Sequence, residues 1–195
     1  MSLKGRKVLV ALTGGIACYK VPYLVRSLHK AEAEVRGVMT EAATKFITPL
    51  TIETVTTRPV AVQMFPSGEF VATRHIDLAE WPDLIVVAPA TANFLGKVAS
   101  GISDDLLTTI ICASAKPVMI APSMNPQMWK HPATQRNVRF LKENGYQILD
   151  PTEGDMACEH WGVGRMMEPE DIFNIVQKFL TRSPQKKKSS KGRSS

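Results

Sequence analysis

Lys7-Val-Leu-Val-Ala-Leu-Thr-Gly-Gly-Ile-Ala17 joins an unbroken apolar run to paired glycines and the start of a helix. A strand that is apolar at every residue, rather than at alternate ones, is expected where both faces of a sheet are covered. Lys7–Leu12 is therefore read as a strand, and Ala17 to about Lys30 as a helix with Pro22 near its first turn. The alternation continues downstream. Glu34–Met39, Asp83–Ala88, Pro117–Ala121 and the short Gln147–Leu149 read as further strands. Helical stretches are expected at Thr44–Thr56, in two pieces around Pro49, and at Ala92–Ala99, Asp104–Ala113 and Ala133–Asn144, the last ended by Gly145. A final helix should run from Pro169 to about Leu180, with Glu168, Glu170 and Asp171 well placed for its dipole. Such alternation implies right-handed crossovers and a three-layer α/β fold around a mostly parallel, doubly wound sheet. Ligands bind these sheets outside the carboxyl ends of the strands, and every unusual segment of this chain follows a strand.

The chain of 195 residues, 44% hydrophobic, is long enough for one well-packed domain and short for two. No apolar run approaches the length of a membrane span, and Met-Ser-Leu-Lys-Gly-Arg-Lys lacks a signal-peptide hydrophobic region, so a cytoplasmic protein is expected. The net charge of +6 is misleading. Residues 183–195 hold Lys186, Lys187, Lys188, Lys191 and Arg193 and no acid; without these five, 19 basic residues face 18 acidic ones. The body, residues 1–182, is thus near neutral, and the Ser/Lys-rich end has nothing to bury and should be disordered. Neither a nucleic-acid partner nor a membrane is expected. Three cysteines without Cys-x-x-Cys or His-x-x-x-His spacing argue against both a disulfide framework and a metal site. Cys18 and Cys112, in apolar helical contexts, read as small buried residues.

Five segments could carry chemistry. Gly14 and Gly15 allow a close backbone approach, and the helix after them favours a phosphate, with Thr40 as a second hydroxyl for the same anion. Pro89-Ala-Thr-Ala-Asn93 sets small residues and two side-chain hydrogen-bonders after a strand, which suits a flat polar ring edge. In the Asp104–Asp105 pair that follows, the carboxylates should point apart, and helix capping is the simpler role. Pro122-Ser-Met-Asn-Pro-Gln-Met-Trp129 places Asn125 in a Pro-bounded turn whose Met124, Met128 and Trp129 suit the walls of a cleft. His75 stands before a short amphipathic stretch, where a lone histidine is more often structural than catalytic. Cys158 lies within Gly154–Met166, read as a glycine-containing flexible loop able to cover a site, where a thiol can be exposed and tuned as an acid or nucleophile.

Taken in order, these segments resemble the flavin-containing cysteine decarboxylases. The carriers are Gly14-Gly-Ile-Ala17, His75-Ile-Asp-Leu78, Pro89–Asn93 with Lys97–Leu107, Pro122–Trp129 and Ala157–Met166, where Glu159 stands in place of the family's first glycine. The resemblance covers about residues 5–180 and implies a Rossmann-like (flavodoxin-like) fold holding FMN. It implies that Gly15, Ile16, Thr40, Pro89, Thr91 and Asn93 hold the cofactor, with Phe46 or Ser123 against its ring. It further implies a small-molecule substrate, 4′-phosphopantothenoylcysteine, held by Asn125, Met128, Ala157 and Met166.

The chemistry implied is that of a cysteinyl carboxylate with no electron sink of its own. Oxidation of the thiol-bearing carbon makes a thioaldehyde beta to the carboxylate, and loss of carbon dioxide then leaves an ene-thiolate. Family logic assigns Cys158 as proton donor for the final reduction, His75 as base or electrostatic partner, and Asn125 to the substrate carboxylate or adjacent amide. A homo-oligomer is implied, a trimer or a dodecamer built of trimers, with flavin at a subunit interface. Many bacterial members continue into a ligase domain; with one helix and a tail after the last motif, ligase activity is not expected here. Rival readings are a peptidyl-cysteine decarboxylase, which needs no reducing cysteine, a flavin prenyltransferase, which lacks the last two motifs together, and a non-catalytic regulatory subunit, which tends to carry a long acidic tail.

Overall fold

In the computed structural model, residues 1–65, 73–155 and 161–182 are described. Five parallel strands form the central sheet: β1 (Lys7–Leu12), β2 (Glu34–Met39), β3 (Leu84–Ala90), β4 (Val118–Pro122) and β5 (Gln147–Ile148), in the order β2-β1-β3-β4-β5. The register pairs Val8 with both Val35 and Leu84, and Ile85 with Val118. The expected doubly wound α/β architecture is therefore the one found.

Strand periodicity splits the apolar residues between two cores. Val8, Val10 and Leu12 of β1 face one layer, built on α1 (Val21–Lys30), α2 (Pro49–Thr56) and α8 (Pro169–Arg182). Leu9 and Ala11 face the other, built on α3 (Arg74–Glu80), α4 (Ala92–Ala99), α5 (Leu106–Ala113) and α7 (Pro132–Glu143). Each fully buried Val or Leu contributes roughly 1.5–3 kcal/mol relative to exposure, so both faces of β1 hold the sheet to its helices.

Helix signals acted largely as expected. Before α1 the chain makes a 3₁₀ turn, Ile16–Lys20, so the first helix starts later than its apolar pattern suggests, with Pro22 in its first turn. Another 3₁₀ turn, Ala43–Lys45, precedes α2, whose Thr48 cap and Pro49 make the anticipated break. Gly145, at φ 87°, ends α7. Asp105 caps α5 through a reciprocal capping box with Thr108.

Two expectations need correction. Gly154–Met166 is not wholly a loop: β6 (Thr152–Asp155) and β7 (Trp161–Arg165) pair antiparallel, with Gly154 opposite Gly162. Glycines that read as flexibility serve instead in close packing; a Cβ on Gly162 would lie 3.0 Å from Pro126 Cγ. Cys112 is exposed rather than buried, because it falls on the outer side of α5, whereas Cys18 is buried as expected. Residues 156–160 and 183–195, and with them Ala157, Cys158, Glu159 and the basic end, lie outside the described residues. No helix among the described residues is long and apolar enough to cross a membrane.

Candidate active site

β1 lies between β2 and β3, so the crossovers leaving it diverge and open a crevice beyond the carboxyl ends of β1 and β3. Thr13 joins the two strand exits. Its hydroxyl donates to the Pro89 carbonyl at 2.8 Å and accepts from the Thr91 N–H at 2.9 Å, while its own N–H reaches the same carbonyl at 3.2 Å. Cys18 adds a thiol hydrogen bond to the Thr13 carbonyl at 3.1 Å, and burial pushes that thiol's pKa up, which makes it a structural group rather than a nucleophile. Gly14 is required by close approach, since a Cβ there would come within 2.5 Å of Ala42 Cβ.

The crevice has two connected lobes. The smaller, about 380 Å³, is walled by Gly15, Ile16, Ser123, Asn125, Met128 and Met166. The larger, about 830 Å³, is walled by Thr13, Thr40, Asn93, Lys97, Asp104 and Met64 among others. Gly14, Thr91, Ala92 and Met128 line both. Of the residues that the resemblance assigns to cofactor or substrate, nine therefore sit on this one crevice: Gly15, Ile16, Thr40, Thr91, Asn93, Ser123, Asn125, Met128 and Met166.

Three others stand apart. Pro89 is buried in β3 and acts through its carbonyl on Thr13 rather than as a wall. Phe46, 48% exposed, lines neither lobe. His75, half-buried in α3, lines neither lobe of its own chain.

Local structure orients the polar groups. Asn125 caps α6 (Pro126–Lys130), its Oδ1 accepting from the Gln127 N–H at 2.8 Å, which fixes the carboxamide on the lobe wall. β7 backs this turn through a Met124 N–H bond to the Gly164 carbonyl at 2.9 Å. Thr91 Oγ1 accepts from the Phe94 N–H at the start of α4, and Thr40 Oγ1 from Ala43 N–H. Each of these hydroxyls retains its O–H as a donor.

Charged residues complete the walls, and the sequence reading missed most of them. Lys20 and Arg165 line the smaller lobe and share one oxygen of Glu168, at 2.6 and 2.9 Å. The Lys20 hydrogen bond, more than any other cause, holds the Glu168 carboxyl below its usual range. Lys20 sits in an apolar 3₁₀ turn and is only 8% exposed; a lone lysine in such a stretch was the available signal. In the larger lobe Lys97 bonds Asp104 at 2.7 Å and Asp105 at 3.2 Å. The adjacent carboxylates thus converge on one ammonium instead of pointing apart, because Asp105 precedes α5 in extended conformation. The Asp104 bond raises the pKa of Lys97 and depresses that of Asp104.

The chain matches the flavoprotein family over residues 1–181. It is 46% identical over 178 residues to the coenzyme A biosynthesis bifunctional protein CoaBC of Bacillus subtilis (strain 168), covering 91% of this chain and 44% of that protein. The chain spans somewhat under half the length of the curated relatives it matches. Among solved structures it resembles a cysteine-to-serine mutant of PPC decarboxylase complexed with pantothenoylaminoethenethiol, with a TM-score of 0.79 and 34% identity over 90% of this chain and 98% of the other. It also resembles the FMN-dependent cysteine decarboxylase SpaF, with a TM-score of 0.80 and 35% identity over 93% of this chain and 98% of that one. With its length matched almost throughout, this chain belongs to the flavoprotein family.

Proposed function

We propose that the chain catalyses FMN-dependent decarboxylation of 4′-phosphopantothenoylcysteine to 4′-phosphopantetheine, a step of coenzyme A biosynthesis. The observation that carries this reading is the union of two lobes at Gly14, Thr91 and Met128, which sets a cofactor-sized chamber beside a smaller one walled by Asn125. The kinship with PPC decarboxylase and CoaBC supports the substrate, and that with SpaF the cofactor.

The residues present fit FMN. Gly15 leaves its backbone open to the cavity, since a Cβ there would make only ordinary contacts with Pro89 and Thr91 at 3.7 and 3.9 Å. Thr40, Thr91 and Asn93 offer polar partners, and Ile16, Met124 and Met128 offer apolar surface for a flat ring. Bound FMN would supply a two-electron sink, drawing electrons from the thiol-bearing carbon of the substrate and returning them after the carboxyl group has left.

Other tasks fall to the chain's own residues. Asn125, locked by its cap, is assigned to the substrate carboxylate or the adjacent amide. Lys20 and Arg165 give the smaller lobe a surplus of positive charge over Glu168 that suits an anionic substrate. Met128 and Met166 would exclude water from the reacting carbon. Cys158, with Ala157 beside it, lies on the segment joining β6 to β7 and is assigned to give the final proton to the ene-thiol. His75 is assigned as base or electrostatic partner; since it lines neither lobe of its own chain, we assign it to the site of a neighbouring copy. That assignment requires a homo-oligomer, which we propose to be a trimer or an assembly of trimers acting in the cytoplasm. Exposed Ile16, Tyr19, Leu50 and Met128 support self-association.

Absorbance of the purified protein and mass spectrometry of its product test the reading together. A yellow protein that forms saturated 4′-phosphopantetheine without external reductant is expected. A colourless preparation that takes up no added FMN would refute it, and a product halted at the ene-thiol would favour a peptidyl-cysteine type of decarboxylase.

A further inference from the structure

On the edge strand β2, Arg36, Arg58 and Arg74 line one depression of about 270 Å³ together with Gly37, Pro59, Ala61, Asp77 and Leu78, none of which lines either lobe. Three elements converge to make it: β2, the segment after α2 that bridges to Val38 through Ala61, and the first turn of α3. The guanidinium of Arg36 lies 4.3 Å from the centre of the Trp81 ring, whose other cationic neighbour is Lys7 at 5.8 Å. Stacking of this kind fixes the plane of a guanidinium while leaving its N–H edge to meet a ligand.

The acids nearby do not neutralise these cations. Glu34 approaches Arg58 at 3.7 Å, with both side chains about half exposed, a contact of little worth in water. Asp77 lines the depression and accepts a long 3.5 Å bond from Thr73. Neither Arg36 nor Arg74 has a carboxylate within 4.0 Å among the described residues. Burial first, and then the charge of Arg58, push the Arg36 pKa down, and the opposing pull of Glu34 and Asp77 does not restore it. Three guanidinium groups against two carboxylates leave a net positive cup, and like charges are gathered at a cost that a bound anion would relieve.

We propose that this cup is a binding site for the phosphoryl group of a small anion, separate from the flavin and substrate lobes of its own chain. The guanidinium fork matches phosphate oxygens two at a time, and the depression accommodates a phosphoryl group with a short extension. The cup shares no wall residue with either lobe, although Ala61 on its wall is followed directly by Val62–Phe65 of the larger lobe.

Isothermal titration of the FMN-loaded protein with inorganic phosphate, and separately with a nucleoside diphosphate, tests the proposal. Saturable binding that weakens about tenfold or more in Arg58→Ala and in Arg74→Ala, and is partly kept in Arg58→Lys, is expected, since each lost fork removes charge-assisted bonds. The Lys20→Ala variant, altered in the smaller lobe, should bind the anion unchanged. Saturation by inorganic phosphate identifies a free anion as the ligand, and saturation by the diphosphate alone identifies an organic phosphate. Circular dichroism of each variant checks that it is folded. Absence of saturation by either probe up to roughly 10 mM, or equal affinity in wild type and both alanine variants, overturns the site.

Discussion

Asn125 and Cys158 make different demands on the chain, and substitution separates them. The carboxamide of Asn125 both caps α6 and walls the smaller lobe. Aspartate caps a helix as well as asparagine does, so Asn125→Asp should leave the melting temperature within a degree or two. It should nonetheless cut turnover by about 100-fold, because a fixed negative charge would face the substrate carboxylate. Paired calorimetry and steady-state kinetics check this, and a parallel loss of stability would show that only the cap had been disturbed. In the absence of oxygen, Cys158→Ser should release carbon dioxide in a single turnover that leaves the flavin reduced, while the saturated thiol disappears from the mass spectrum, since decarboxylation precedes the proton that Cys158 is assigned to give. Normal amounts of saturated product would remove that assignment.

Helix and strand ends, rather than their middles, build the site. Thr13, 2% exposed, ties the exit of β1 to that of β3 with one hydroxyl. In Thr13→Val the Thr91 N–H loses its partner at a cost of roughly 1–3 kcal/mol, and the loops that carry Gly15 and Thr91 loosen together. Chemical denaturation should show that loss, and FMN titration should show weaker binding. At the far side of the crevice, Glu168 joins the start of α8 to Lys20 and to Arg165 at the end of β7. Its carboxyl pKa is depressed in the folded chain, so its contribution is complete above the ordinary glutamate range and fades as pH falls through the depressed value. The gap in melting temperature between wild type and Glu168→Gln should therefore be widest near neutrality and close in acid. The carboxylate is partly exposed, which keeps the gap small. An equal gap at every pH would mean that the glutamine acts through packing.

Across the whole molecule, the crevice of a single chain lacks the one histidine assigned to catalysis. Sedimentation of the FMN-loaded protein should give a multiple of its 21.5 kDa mass, and dilution to the monomer should abolish turnover. An active monomer would return His75 to a structural role. How much of this was legible beforehand depended on the range of the physics. Strand and helix periodicity, caps and turn glycines act over a few residues, so the α/β order and most element ends could be read from Lys7 to Leu180. The motifs at Gly14–Ala17, Pro89–Asn93 and Pro122–Trp129 announced a site because each follows a strand. The β6/β7 pairing escaped notice, since strands of four and five residues rich in glycine carry little periodic signal. Also hidden were the exposure of Cys112, the shared oxygen of Glu168 and the meeting of two carboxylates on Lys97. Local backbone preference and residue order determined the kind of fold and where its ligands bind. Which charges face one another, and which side chains reach the crevice, was decided only when residues as distant as Lys20 and Glu168 were packed side by side, because electrostatic contact depends on distance in space and not along the chain.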